Sequence, residues 1–269
     1  MQNIPKPLKR SQLRQILGKE FYILKRKFNW FLGDKKWAKT KTKTFPQNTV
    51  FEHQSMIHRP LKDVEMYLQD NKKTNLQLAI RHLDQVLIQP GETFSIWRLV
   101  GRPTKRKGYL EGLVLKQGKI AKDTGGGLCQ LGNLLFWIFA HSPLTITERY
   151  RHGFDVFPDV KRTVPFGAGA TLSYNHIDLQ VKNETSNTFQ LRLWLDETHL
   201  HGTLLCKHPL NISYHVEERN HLFKQQYWGG YSRHNQIIQV ATDAKGKKTE
   251  QFLVENNAIL MYRPFLEGN

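Results

Sequence analysis

Between positions 125 and 152 the chain gathers three glycines, a thiol, a carboxylate and an imidazole, in the runs Gly125-Gly126-Gly127-Leu128-Cys129-Gln130 and Glu148-Arg149-Tyr150-Arg151-His152. Glycines admit positive φ, so the triplet can turn successive backbone N–H groups in one direction. The apolar run after it predicts a buried helix from about Leu128 to His141, whose first turn carries unpaired N–H groups and partial positive charge. Cys129 at that turn has two readings. It is a thiolate nucleophile of lowered pKa, or a buried core thiol.

Two chemistries follow from these residues. In the first, Glu148 is a general acid, its pKa raised by the apolar segment before it, and it protonates the leaving oxygen of a glycan. A single acid suffices where the substrate supplies the nucleophile, as in lytic transglycosylases; Asp155 and Asp178 are the acids that could fold back as partners. Against this, Arg149 or Arg151 could pair with Glu148 and make it structural. In the second chemistry Cys129 attacks, His152 is its base, and Gln130 or a glycine N–H holds the oxyanion. Asp178 sits on a predicted strand, where it either faces the site or caps a neighbouring turn.

Gly91-Glu92-Thr93-Phe94-Ser95-Ile96-Trp97, Gly108-Tyr109, the Gly125 to Leu131 run, Glu148-Arg149 with His152, and Asp178-Leu179 with Asn183 stand in an order that resembles the VanW family. The likeness extends from about Asn75 to about Leu205, in what looks like the short, stand-alone form. It implies a context of glycopeptide resistance and the cell wall and no assigned reaction, which leaves two expectations: an enzyme that cleaves the glycan of peptidoglycan or its precursor, or a non-catalytic accessory protein that binds a peptidoglycan fragment or precursor at the inner membrane surface. Gly125, Gly126, Gly127, Gln130, Arg149 and Asp178 are the candidate ligand-binding residues around the catalytic candidates Glu148, Cys129 and His152. One departure is visible. Gly169-Ala170-Thr171-Leu172 stands where many members have Asp-Ala-Thr-Val, so no role of that aspartate carries over.

Bulk properties narrow the field. The 269 residues carry a net charge of +17, and positions 1 to 43 hold thirteen Lys and Arg against Glu20 and Asp34, which is +11 of that total. The polyanion signal therefore belongs to an N-terminal arm, and no helix-turn-helix or zinc-finger spacing points to specific nucleic-acid reading. Two cysteines make no disulfide framework, the histidines lack metal-ligand spacing, and no cofactor motif is present. With no signal-peptide core and no run of transmembrane length, the expected location is cytoplasmic, or peripheral to the inner membrane face.

The expected fold is α+β, a mainly antiparallel sheet around one buried helix. A basic helical arm (1–45), a core domain (46–206) and a C-terminal β-extension (207–269) make up the chain. Leu13, Ile16, Leu17, Phe21, Leu24 and Phe28 recur at helical spacing among cations, so residues 13–31 predict an amphipathic helix. Its stripe either lies on an anionic membrane surface or packs on the domain. A loop or short strand over Phe51 to Gln69, which holds Arg59-Pro60, a helix over 75–87, a basic loop over 101–108, and a hairpin through Gly112 and Gly118 come next. Short strands follow over 171–181, 188–195, 203–206, 211–216, 236–241 and 252–254.

Overall fold

The computed structural model describes Ile4 and residues 11–58, 65–116, 119–156 and 164–262. Lys6, Lys9 and Arg10 of the arm, Arg59-Pro60 and Gly118 lie outside the described residues. The fold is α+β. Four helices (α1 Gln12–Leu32, α2 Met66–Leu83, α3 Ile96–Val100, α4 Cys129–Ala140) accompany strands grouped into three four-stranded sheets and one hairpin, all among the described residues.

Helix α4 is the centre. Leu131 and Leu134 to Ala140 are all buried, because the helix is apolar on every side and can be stable only when surrounded. It lies on β2 (Asn48–Met56) and β11 (His199–Cys206), which pair antiparallel, and β10 (Phe189–Leu195) and β3 (Leu87–Ile88) complete that sheet. Helix α2 begins nine residues earlier than its apolar spacing predicts, since the polar turn through Asn71 and Lys72 is helical too. The C-terminal strands β12 (Ile212–Gln225), β13 (Tyr231–Asp243) and β14 (Lys248–Leu260) also run longer than read from sequence, and β8 (Phe154–Asp155) joins their sheet in parallel.

The sheet that matters for function runs β1 (Lys36–Trp37), β4 (Glu92–Ser95), β9 (Gln180–Lys182), β7 (Thr145–Glu148). β1 pairs with β4 in parallel and the other pairs are antiparallel. Gln180 is the register partner of Ser95 on one side and of Glu148 on the other, and a bulge between Ile146 and Glu148 re-aims the acid. Asp178, two residues before Gln180, shares its face by strand alternation. The strand predicted over 171–181 is much shorter. Only 180–182 pair in the sheet, and Asn175 takes φ 52° in the loop before them.

Helix α1 is amphipathic over the span its spacing predicts. Ser11 caps it by accepting a hydrogen bond from the Arg14 N–H. Ile23 is buried and Trp30 packs on the core.

Candidate functional site

Glu148 sits at the end of β7, and all its acceptor positions are engaged. Arg26 of α1 reaches it with both terminal nitrogens, Nη1 to Oε2 at 2.7 Å and Nη2 to Oε1 at 2.6 Å. The Asp178 N–H donates to Oε1 at 3.1 Å and Gln180 Nε2 donates to Oε2 at 2.9 Å. Two carboxylate oxygens offer about four lone-pair sites, so this carboxylate is saturated. The partner is neither Arg149 nor Arg151 but a residue 122 positions away in sequence. Arg26 also donates Nε to the Asn175 carbonyl at 2.9 Å and Nη2 to that of His176 at 3.2 Å, so the guanidinium stitches α1 to the loop before β9.

Asp178 lies directly beneath, with 0% of its side chain exposed and Oδ2 3.9 Å from Arg26 Nη1. It accepts from Ser95 Oγ at 2.5 Å and from the N–H groups of Trp97 and Leu179 at 3.2 and 2.9 Å. It therefore does both things its sequence position allows. It faces Glu148, and it caps the start of α3. Burial pushes its carboxyl up to about 6, the nearby Glu148 adding to the shift, while its hydrogen bonds and Arg26 act against it.

Above this cluster opens a groove of about 990 Å³ between α1 and the sheet. Its walls carry Trp30 and Trp37, whose rings meet edge-on at 6.2 Å, with Lys25, Lys35, Lys36 and Lys182 around them. Arg98 lies over both indoles. Aromatic faces with a cationic rim suit an anionic saccharide.

The glycine triplet is organised differently. Its three N–H groups donate to the carbonyls of Leu110, Asp123 and Leu113, all in or next to the hairpin β5 (Glu111–Lys116) and β6 (Lys119–Thr124). A Cβ on Gly126 would fall 2.1 Å from the Gly112 carbonyl carbon, so two backbones touch where no side chain fits. Asn75 of α2, fully buried, bonds the carbonyls of Gly126 and Leu110 and the Leu110 N–H. The expected anion-binding turn is thus corrected to a packing device, because its donors are spent on backbone. Gln130 likewise clamps α4 to β2 through the carbonyls of Ser55 and Met56.

Cys129 is also corrected. Burial pushes its thiol up, not down. Its sulfur contacts the Leu172 backbone, accepting from the N–H at 3.5 Å and donating to the carbonyl at 3.7 Å. The segment 170–172 separates it from His152. Ala170 and Leu172 bond toward α4, through Asn133 and Cys129, while Thr171 bonds toward Tyr150 and His152. The Gly169 position is closed by Asn133, whose Oδ1 lies 2.2 Å from where a Cβ would stand.

His152 lines a second hollow of about 450 Å³ with Arg149 and Arg151, and burial pushes its imidazole down. Arg149 donates to the carbonyls of Gly169 and Gly167 and to Asn256 Oδ1, which ties β7 to β14; burial lowers it to about 9, Arg151 adding to the effect. Of the sequence candidates, then, Glu148 and Asp178 come together, Arg149 and His152 share the neighbouring hollow, and Cys129, Gln130 and the glycines line neither. Among the described residues no group of three or more His, Cys, Asp or Glu is placed to hold a metal ion.

Residues 71–205 match the family described as VanW like protein. The chain belongs to the VanW-like family. It is 37% identical over 189 residues to the vancomycin B-type resistance protein VanW of Enterococcus faecalis, covering 70% of this chain and 68% of that protein. It is 30% identical over 125 residues to the uncharacterized protein YoaR of Bacillus subtilis, covering 45% of this chain and 39% of that one. No solved structure matches. The VanW-like segment contains Ser95, Glu148, Asp178 and Gln180, whereas Arg26, Trp30, Lys35, Lys36 and Trp37 lie before it.

Sequence reasoning missed those five. The available signal for Arg26 was its type and register. It follows Ile23 by three positions and precedes Trp30 by four, on the buried side of the helix, and arginine rather than lysine suits a forked grip on a carboxylate.

Proposed function

We propose that this protein is an accessory factor of glycopeptide resistance that binds an anionic muropeptide or wall precursor in the groove beside α1 without cleaving it. The resistance context rests on the likeness to the vancomycin B-type resistance protein. The observation that carries the binding reading is the saturation of Glu148: Arg26, the Asp178 N–H and Gln180 occupy both of its oxygens, so no position is left from which it could reach a leaving group. Trp30 and Trp37 offer faces for sugar rings, and the lysine rim offers partners for carboxylate or pyrophosphate.

Titration with a purified muropeptide, followed by tryptophan fluorescence, tests this. Saturable quenching that weakens about tenfold in Trp37→Ala, the loss of one stacking face, is the expected result. Unchanged fluorescence, or equal affinity in the variant, would overturn it.

A catalytic reading has one observation in its favour. Asp178, pushed up to about 6, lies against Glu148, so the pair could share a proton if Arg26 withdrew. Glu148 would then be the acid of a glycan-cleaving reaction.

A further inference from the structure

Helix α1 has two apolar sides, and the domain uses only one. Tyr22, Ile23, Arg26 and Trp30 face inward, through the His176 ring, the core, Glu148 and Trp37 respectively. Leu13, Leu17, Phe21, Leu24, Phe28 and Phe31 follow one another at spacings of four, four, three, four and three, which is a single stripe along the helix. Each is at least 60% exposed, and Phe31 reaches 90%. Leu32, 62% exposed, widens the stripe at its end.

The stripe is bordered by cations. With 100° per residue, Lys27 lies on one flank and Arg14 and Lys25 on the other, and Lys35 and Lys36 are exposed just beyond the helix end. Glu20 is already paired with Arg102. A continuous apolar stripe between rows of positive charge is complementary to a bilayer whose headgroups are anionic. No described helix is long and apolar enough to cross a membrane, so the contact would lie in the plane of the interface.

We infer that α1 is a two-faced strap: its outer stripe docks on an anionic lipid surface while its inner side, through Arg26, Ile23 and Trp30, holds the domain and closes one wall of the groove. The apolar side chains enter the headgroup boundary, and the lysines stay at the level of the lipid phosphates. The stripe and the groove lie on different sides of α1, so this inference does not rest on the proposed function.

The full chain is sedimented with vesicles of phosphatidylcholine alone and with vesicles that also contain phosphatidylglycerol, at low and high salt. Binding to the anionic vesicles, weakened by salt, is expected. Leu24→Ser with Phe28→Ser should lower the partition about tenfold or more, since two large apolar groups stay in water. Lys25→Gln with Lys27→Gln should lower it about fivefold per charge. These side chains are exposed, so near-ultraviolet circular dichroism should match the wild type. In Phe31→Trp, brominated lipid should quench the new indole. Equal partition of wild type and the Leu24/Phe28 variant, equal binding to neutral vesicles, or no vesicle binding together with a dimer that the Leu24/Phe28 variant dissolves, would each overturn the inference.

Discussion

The two most distinctive stretches of this chain, the glycine triplet with Cys129 and the segment around Glu148, resemble halves of one active site in sequence and behave as opposites in space. At the triplet each glycine N–H is consumed by backbone, and the half-buried thiol rests against Leu172. At Glu148 the polar groups converge from four elements, α1, β4, β7 and β9 with its preceding loop, beneath an open groove. A conspicuous motif can thus be a solution to close packing. The groove draws more than half of its lining residues from outside the family segment.

Substitutions should separate the two regions. The largest effect is expected at the triplet. Gly126→Ala forces a Cβ into the Gly112 carbonyl and should cost about 4 kcal/mol or more in chemical denaturation. Next is Arg26→Ala, which strips the cation from Glu148 and Asp178. With the pair at 17% and 30% exposure, a loss of about 2 kcal/mol is expected, between the values for exposed and buried pairs. Exposed Lys27→Ala should stay within about 0.5 kcal/mol. A loss in Arg26→Ala no larger than in Lys27→Ala would remove the energetic contrast.

Asp178 gives a pH signature. Its folded pKa of about 6 exceeds the ordinary carboxyl value, so folding takes up a proton between about pH 4 and 6. The resulting stability is present below pH 4 and lost as pH rises through 6. His141, stacked on Phe51 and pushed down by burial to about 4, acts with the opposite sign in an overlapping window and loses stability as pH falls. Asp178→Asn should therefore gain about 2 kcal/mol relative to the wild type between pH 4 and pH 7 in paired denaturation curves. A flat difference would mean the acid is not proton-bearing. A smaller effect, though above that of Lys27→Ala, is expected for Cys129→Ser, a loss of about 1 kcal/mol with muropeptide affinity unchanged.

Periodicity made much of the fold legible. The stripe of α1, the all-round apolar α4 and the short alternating strands each specify a type of element, though not what covers the α1 stripe or how long each strand runs. The start of α2 was hidden because Asn71, Lys72 and Lys73 read as polar, and Asn75 gave no hint that its amide organises the glycine turn. β12 was cut short because Glu217 to His221 lacks alternation where Asn220, at φ 52°, interrupts the ladder register. Of the site, Glu148 and Asp178 were readable as acids in unusual places. Their pairing with Arg26 was not, because contacts between residues so far apart in the chain leave no local pattern.

The decisive measurement is incubation of intact peptidoglycan sacculi with the wild type and with Glu148→Gln, reading released fragments by mass. With its carboxylate locked by Arg26, the wild type should release no more than the variant. Anhydro-muramyl products freed by the wild type and absent with Glu148→Gln would contradict the account and make Glu148 a working acid.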